Sequence, residues 1–155
     1  MNQPDVSFHA TTFATALLFT TKRTKKKKMR NAIYWVEIPA KNFDRATQFY
    51  ETIFGIKMIP VAMPRGKYAI FPVDPTALGA GSAIVEGKGY EPSEKGAIIY
   101  LDRGDDDLTL PLSKVEKAGG KIILEKMKNG SNGEFGFIAQ FIDTEGNRVG
   151  LHSMK

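Results

Sequence analysis

From Ala32 onward, short apolar runs alternate with two stretches whose apolar positions recur every three or four residues. Phe43 to Phe54 is the first such stretch, with Ala46, Phe49, Tyr50 and Ile53 on one face, and this spacing predicts an amphipathic helix. Asn42 or Asp44 is placed to cap its start and Gly55 to end it. The second stretch, about Leu108 to Ala118, carries Leu108, Leu112 and Val115 on one face and stops at Gly119-Gly120. Pro111 falls in its first turn, where a missing amide is tolerated. Strand-like runs bounded by turn residues follow each helix. They are Ile56 to Ala62, Tyr68 to Phe71 and Gly81 to Glu86 after the first helix. After the second they are Lys121 to Met127, Phe135 to Ile142 and Arg148 to Ser153.

These elements repeat. An offset of 65 lays Ala32-Ile33-Tyr34-Trp35-Val36-Glu37 over Ala97-Ile98-Ile99-Tyr100-Leu101-Asp102, and Gly55 over Gly120. Each half reads β-α-β-β-β, which predicts an α+β domain of two tandem modules at about 30–90 and 95–154. A module of this size has a small core and an open sheet, so each half depends on the other for cover.

Charge separates the domain from what precedes it. The chain has 155 residues and a net charge of +5, all of it contributed by residues 1–28, where Lys22, Arg23 and Lys25 to Lys28 stand against Asp5. Residues 29–155 are balanced, so no nucleic-acid partner is expected for them. The basic cluster follows the apolar run Phe13 to Phe19 instead of preceding it, the reverse of a secretory signal, and that run is too short to cross a bilayer. A transit peptide, or a polybasic arm contacting nucleic acid or acidic lipid, are the functional readings of this tail. The reading adopted is a mobile tail of translated upstream sequence before a true start at Met29, its lysine codons resembling a purine-rich ribosome-binding tract. There is no cysteine, which excludes disulfides, thiolate metal sites and a cysteine nucleophile, and a reducing, cytoplasmic location is expected.

Three segments carry a family resemblance. They are Trp35-Val36-Glu37-Ile38-Pro39 with Asp44-Arg45-Ala46, Phe49-Tyr50-Glu51 and Phe54-Gly55; Val115 to Lys121; and Phe141 to Ser153, containing Asp143-Thr144-Glu145-Gly146-Asn147. Together they resemble the vicinal oxygen chelate superfamily, also called the glyoxalase/bleomycin-resistance/dioxygenase fold, and within it the lactoylglutathione-lyase-related subgroup. The resemblance implies two βαβββ modules whose eight strands form an open bowl around a ligand. It also implies, for metal-dependent members, His, Gln or Glu ligands on the first and last strand of each module.

This sequence departs from that pattern. The first-strand position, twenty residues before Gly55, is Trp35, and the last-strand position is Gly150. On the second module's first strand, Gly96 to Leu101 offers no ligand except the Tyr100 phenol, and the fourth position is read near Glu86. One carboxylate does not make a site that needs three or more convergent ligands, so no metal and no cofactor are expected. Glyoxalase I and extradiol dioxygenase activities are not expected either.

Side chains sharing the parity of those positions are expected to face the bowl: Ile33, Trp35 and Glu37 on the first strand, and Arg148, Gly150 and His152 on the last. Phe71, Glu86 and Tyr100 complete the expected wall. Trp35 suits a planar ligand, Glu37 a general base, and His152 a proton shuttle, while an ion pair between Glu37 and Arg148 is the competing structural role. The Gly79 to Ser82 and Asp105 to Asp107 stretches are read as turn and solvated loop, and Asn129 to Gly133 as a flexible turn at the lip of the bowl. The leading expectation is a cytoplasmic, metal-free protein that binds a small molecule. A lyase- or isomerase-type enzyme using Glu37 and His152, or an atypical metal, is one rival; a non-catalytic module acting through its basic tail is the other. Homodimerisation is compatible with the balanced charge, and no membrane contact is expected of the domain.

Overall fold

The computed structural model describes residues 32–74, 76 and 79–155. The expected tail at 1–28 lies outside the described residues. Eight strands and two helices follow in the order β1 (Trp35–Pro39), α1 (Phe43–Phe54), β2 (Ile59–Met63), β3 (Gly66–Ile70), β4 (Gly81–Glu86), β5 (Ile99–Asp102), α2 (Thr109–Val115), β6 (Lys121–Lys128), β7 (Phe137–Ile142) and β8 (Arg148–Ser153). They form two four-stranded sheets of the same topology, β1-β4-β3-β2 and β5-β8-β7-β6. In each, the first and last strands of the module run parallel, and the other pairs are antiparallel. The expected two-module α+β architecture is present as this open, non-closed arrangement.

Helix α1 forms where its sequence pattern places it. The Asn42 side chain accepts the Arg45 amide at the start, and Gly55 ends the helix with a left-handed φ of 65°. Only glycine adopts that conformation without strain. Ala46, Phe49, Tyr50 and Ile53 are buried as the spacing requires, each large side chain contributing roughly 1.5–3 kcal/mol of burial. Helix α2 is shorter than its apolar pattern, since the chain loosens into turns after Val115.

One apolar core serves both modules. It draws Ile38, Ala69 and Ile84 from the first sheet, Ala139, Phe141, Val149 and Leu151 from the second, and the buried faces of both helices. The Phe49 ring stands 5.1 Å from Tyr50 and 5.6 Å from Phe141, so α1 touches the opposite module directly.

A polar clasp reinforces this contact. The turn between β7 and β8 presents Asp143, Glu145 and Asn147 to the loop between β1 and α1. Glu145 accepts the Lys41 and Asn42 amides at 2.9 Å each and the Arg45 guanidinium at 2.7 Å. Asp143 accepts the Tyr50 hydroxyl at 2.9 Å, and Asn147 donates to the Pro39 carbonyl at 2.8 Å. The Asp-Thr-Glu-Gly-Asn segment is therefore the joint between modules. Among the described residues, no helix is long and apolar enough to cross a membrane.

Candidate functional site

Because strand side chains alternate, each sheet has a face turned to the helices and a face turned away. On β1, Val36 and Ile38 go to the core and Trp35 and Glu37 to the outer face. Trp35 pairs in register with Gly81 of the parallel strand β4. A Cβ at Gly81 would stand 2.5 Å from the indole, so the ring lies over backbone that only glycine leaves bare. Two positions along, Glu37 accepts the Tyr90 hydroxyl at 2.7 Å, and the Tyr68 hydroxyl lies 2.9 Å from that of Tyr90. Tyr90 has one proton and gives it to the carboxylate, so Tyr68 donates to Tyr90 and the two phenols form a relay that ends on Glu37. The bonds to Tyr68 and Glu37 push the Tyr90 phenol well above its ordinary range. Tyr68, Ala83 and Val85, with Val61, Ile70 and Tyr90 against them, form the apolar floor beneath this chain.

The second sheet repeats the arrangement. Tyr100, the residue that the 65-residue offset pairs with Trp35, stands opposite Gly150 across the parallel β5–β8 pair, with its ring over the glycine. Gln140 of β7 is the next residue in the same row and donates its amide to the Tyr100 hydroxyl. Its carbonyl oxygen accepts Arg148 Nε at 2.9 Å and Nη2 at 2.6 Å. At the end of the strands, His152 donates Nε2 to the Phe135 carbonyl at 2.8 Å, with Nδ1 3.2 Å from Asp102.

Of the seven residues expected to line the bowl, five lie on the sheet faces turned away from the helices and two, Phe71 and Glu86, lie on the core side. Trp35 and Glu37 share the outer face of the first sheet, and Tyr100, Arg148 and His152 that of the second. Phe71 is in the core, with its ring 5.4 Å from Tyr50 and 6.3 Å from Phe54. Glu86 has the core-side parity of β4 and accepts the Phe43 amide at the start of α1 at 2.7 Å, with Lys67 3.4 Å away. No hydrogen bond or ion pair among the described residues joins Glu37 to Arg148 or to His152: Arg148 goes to Gln140, and His152 to Phe135 and Asp102. Tyr68, Tyr90 and Gln140 were absent from the sequence-based candidates. Tyr90 lies in the connection between modules, outside any periodic run, and Gln140 is recognisable only through its register with Gly150.

Strand register relates the positions that the resemblance implies for metal ligands. Those equivalent to Trp35 and Gly150 are Tyr100 and Gly81, so the fourth position is Gly81 instead of a residue near Glu86. An indole, a phenol and two glycines do not fit a divalent cation. Among the described residues, no group of three or more His, Cys, Asp or Glu side chains could hold a metal ion.

A family model described as Glyoxalase/Bleomycin resistance protein/Dioxygenase superfamily matches residues 32–151. The chain belongs to this superfamily. Solved structures agree on the fold of this superfamily member. A glyoxalase I variant from Zea mays is 22% identical, with a TM-score of 0.60 over 78% of this chain, and the match spans 45% of the maize chain, less than half its length. A glyoxylase/bleomycin resistance protein/dioxygenase domain from Frankia sp. EAN1pec is 16% identical, with a TM-score of 0.59 over 81% of this chain and 93% of that one. TnmS3, an antibiotic binding protein from Streptomyces sp. CB03234, is 19% identical, with a TM-score of 0.54 over 82% of this chain and 98% of that one. No curated protein matches the sequence.

Hollows among the described residues lie apart from the Trp35–Glu37 cluster. One of about 380 Å³ lies at the β2–β3 hairpin and meets the outer-face cluster at Val61 and Tyr68, without including Trp35 or Glu37. Another of about 180 Å³ lies between the modules, bounded by Ile38, Ser93, Ile99 and Asn147. Neither contains the grouped polar and aromatic chemistry of the first sheet's outer face, which is the better candidate.

Proposed function

We propose that this superfamily member binds a small organic molecule on the outer face of its first module, without a metal at the family's ligand positions. One observation carries the proposal: in both modules those positions hold an aromatic ring laid over a glycine. A ring in van der Waals contact with backbone offers a flat apolar surface and takes the space a coordinated ion would need. The antibiotic-binding fold neighbour TnmS3 supports a binding role, and the Trp35 to Pro39 and Phe141 to Ser153 motifs support membership of the lactoylglutathione-lyase-related subgroup. Glu37 accepts from Tyr90, and His152 is held by Phe135 and Asp102, so each has its own partners.

Trp35 is the only tryptophan, so its fluorescence reports directly on the proposed face. Screening small aromatic and aliphatic molecules against that signal should give saturable changes that Trp35→Leu removes in parallel calorimetry. Metal content of protein purified without chelators, with melting curves in EDTA and in added divalent cations, tests the other half of the proposal. Stoichiometric metal, or stabilisation by a divalent ion, would overturn it.

A further inference from the structure

We infer that the ligand of the first-sheet face carries a cationic nitrogen attached to or beside a planar apolar group. The inference rests on the binding role proposed above and adds the charge and class of the ligand.

Glu37 is half-buried, and none of the ion pairs among the described residues includes it. Its neighbours solvate the carboxylate without neutralising it. Tyr90 donates to Oε2, and Tyr68 donates to Tyr90, so a relay of two neutral phenols ends on one anion. The arrangement fixes the direction of the carboxylate and leaves its negative charge unmatched. Glu145 meets Arg45 and Glu86 meets Lys67. Asp143 is also in no ion pair among the described residues, but four donors satisfy it in the core: the Tyr50 hydroxyl, the Asn147 amide group and two backbone amides. Glu37, in contrast, has one direct donor among the described residues and stays half open to a ligand. A charge left uncompensated near an apolar floor is costly unless its counterion arrives with the ligand.

The groups around Glu37 favour the same counterion. Trp35, 38% exposed, stands two residues along on the same face, and the Tyr68 and Tyr90 rings meet edge to face on its other side, 6.4 Å apart. Aromatic faces attract cations through their quadrupole, indole most strongly, and a carboxylate at the edge of such a group adds a charge-assisted contact. An anionic ligand would meet repulsion from Glu37. A neutral planar ligand would stack on Trp35 but leave the carboxylate unmatched.

The test uses three probes that share a bicyclic aromatic frame, on the full chain: N-methylquinolinium as cation, quinoline at pH 8 as neutral form, and 1-naphthoate as anion. Calorimetry gives the affinities, and Trp35 emission reports the location. The cation should bind at least about tenfold more tightly than quinoline, and 1-naphthoate least tightly. Glu37→Gln should abolish the preference, and Glu37→Asp, which keeps the charge, should retain most of it. Glu94→Gln, an exposed carboxylate outside the site, should leave it unchanged, which separates local recognition from net charge. Equal binding of cation and quinoline, or an unchanged preference in folded Glu37→Gln, would overturn the cation inference while leaving a small-molecule face in place. Failure of all three probes, in a chain whose melting curve shows it folded, would count against both readings.

Discussion

The indole of Trp35 lies across Gly81 with no room for a methyl group between them. Tyr100 and Gly150 repeat this relationship one module later. The two pairs respond differently to the same substitution because only one ring is tethered. Gly81→Ala should displace an indole that no hydrogen bond among the described residues holds, shifting Trp35 emission toward longer wavelength with little loss of melting temperature. Gly150→Ala should cost more, about 1–3 kcal/mol by chemical denaturation, because moving the Tyr100 ring also breaks its bond to Gln140. An unchanged emission maximum in Gly81→Ala would show that the ring does not rest there.

Tyr50 is fully buried, and its hydroxyl donates to Asp143 across the joint between modules. Burial, reinforced by the charges of Asp143 and Glu145, holds this phenol well above its ordinary range, so it remains a donor at any accessible pH. Tyr50→Phe keeps the ring packing and removes only the donor. The expected loss is about 2 kcal/mol in urea unfolding, with an unchanged m-value. A loss below a few tenths would mean that Asn147 and the backbone amides satisfy Asp143 alone.

Acid should loosen the same joint. Burial alone would raise the Glu145 carboxyl, but the Arg45 guanidinium and the Asn42 and Lys41 amides outweigh it and hold the group below its usual value of 4.5. A lowered native value means that the unfolded chain binds the proton first. The stabilisation is therefore complete above pH 4.5 and is lost as pH falls through the lower native value. Asp107 adds to the trend: Lys126 and the Thr109 amide bring it down to about 2. Melting temperature should fall steeply below pH 4.5, and Glu145→Gln should lower it at pH 7 while flattening this acid limb. Parallel pH profiles for the two proteins would rule out the assignment to Glu145.

All the described strands, both helices and the core lie between Trp35 and Ser153. A chain begun at Met29 should therefore melt within a degree or two of the full chain and bind N-methylquinolinium equally. A large drop in melting temperature would show that residues 1–28 contribute to the fold.

The helices and the module repeat were legible because both rest on local patterns: the spacing of Ala46, Phe49, Tyr50 and Ile53, the Asn42 cap, the Gly55 stop, and the 65-residue offset. Strand ends were less legible. Ile33 and Tyr34 continue the apolar run before β1 but remain exposed, and Phe135 precedes β7 as an exposed residue whose carbonyl receives His152. Parity grouped Trp35, Glu37 and Arg148 as facing the bowl, and each does lie on the side of its sheet turned away from the core. Parity cannot supply the cross-strand partners. Glu86 and Phe71 required knowledge of which strand partner each residue meets. Tyr90 required knowledge of how the connection between modules folds back over Ala83 and Val85, a tertiary fact that no local spacing encodes.

The shared core occupies the helix-side face of each sheet, and the aromatic pairs and unmatched charges occupy the opposite face. Substitution on one surface therefore scarcely perturbs the other. Trp35, Glu37, Tyr100 and Arg148 can be exchanged for other chemistries while Ile38, Phe49, Phe141 and the Tyr50–Asp143 joint stay fixed. A scaffold divided in this way lets selection change what the sheet faces recognise without re-solving the folding problem.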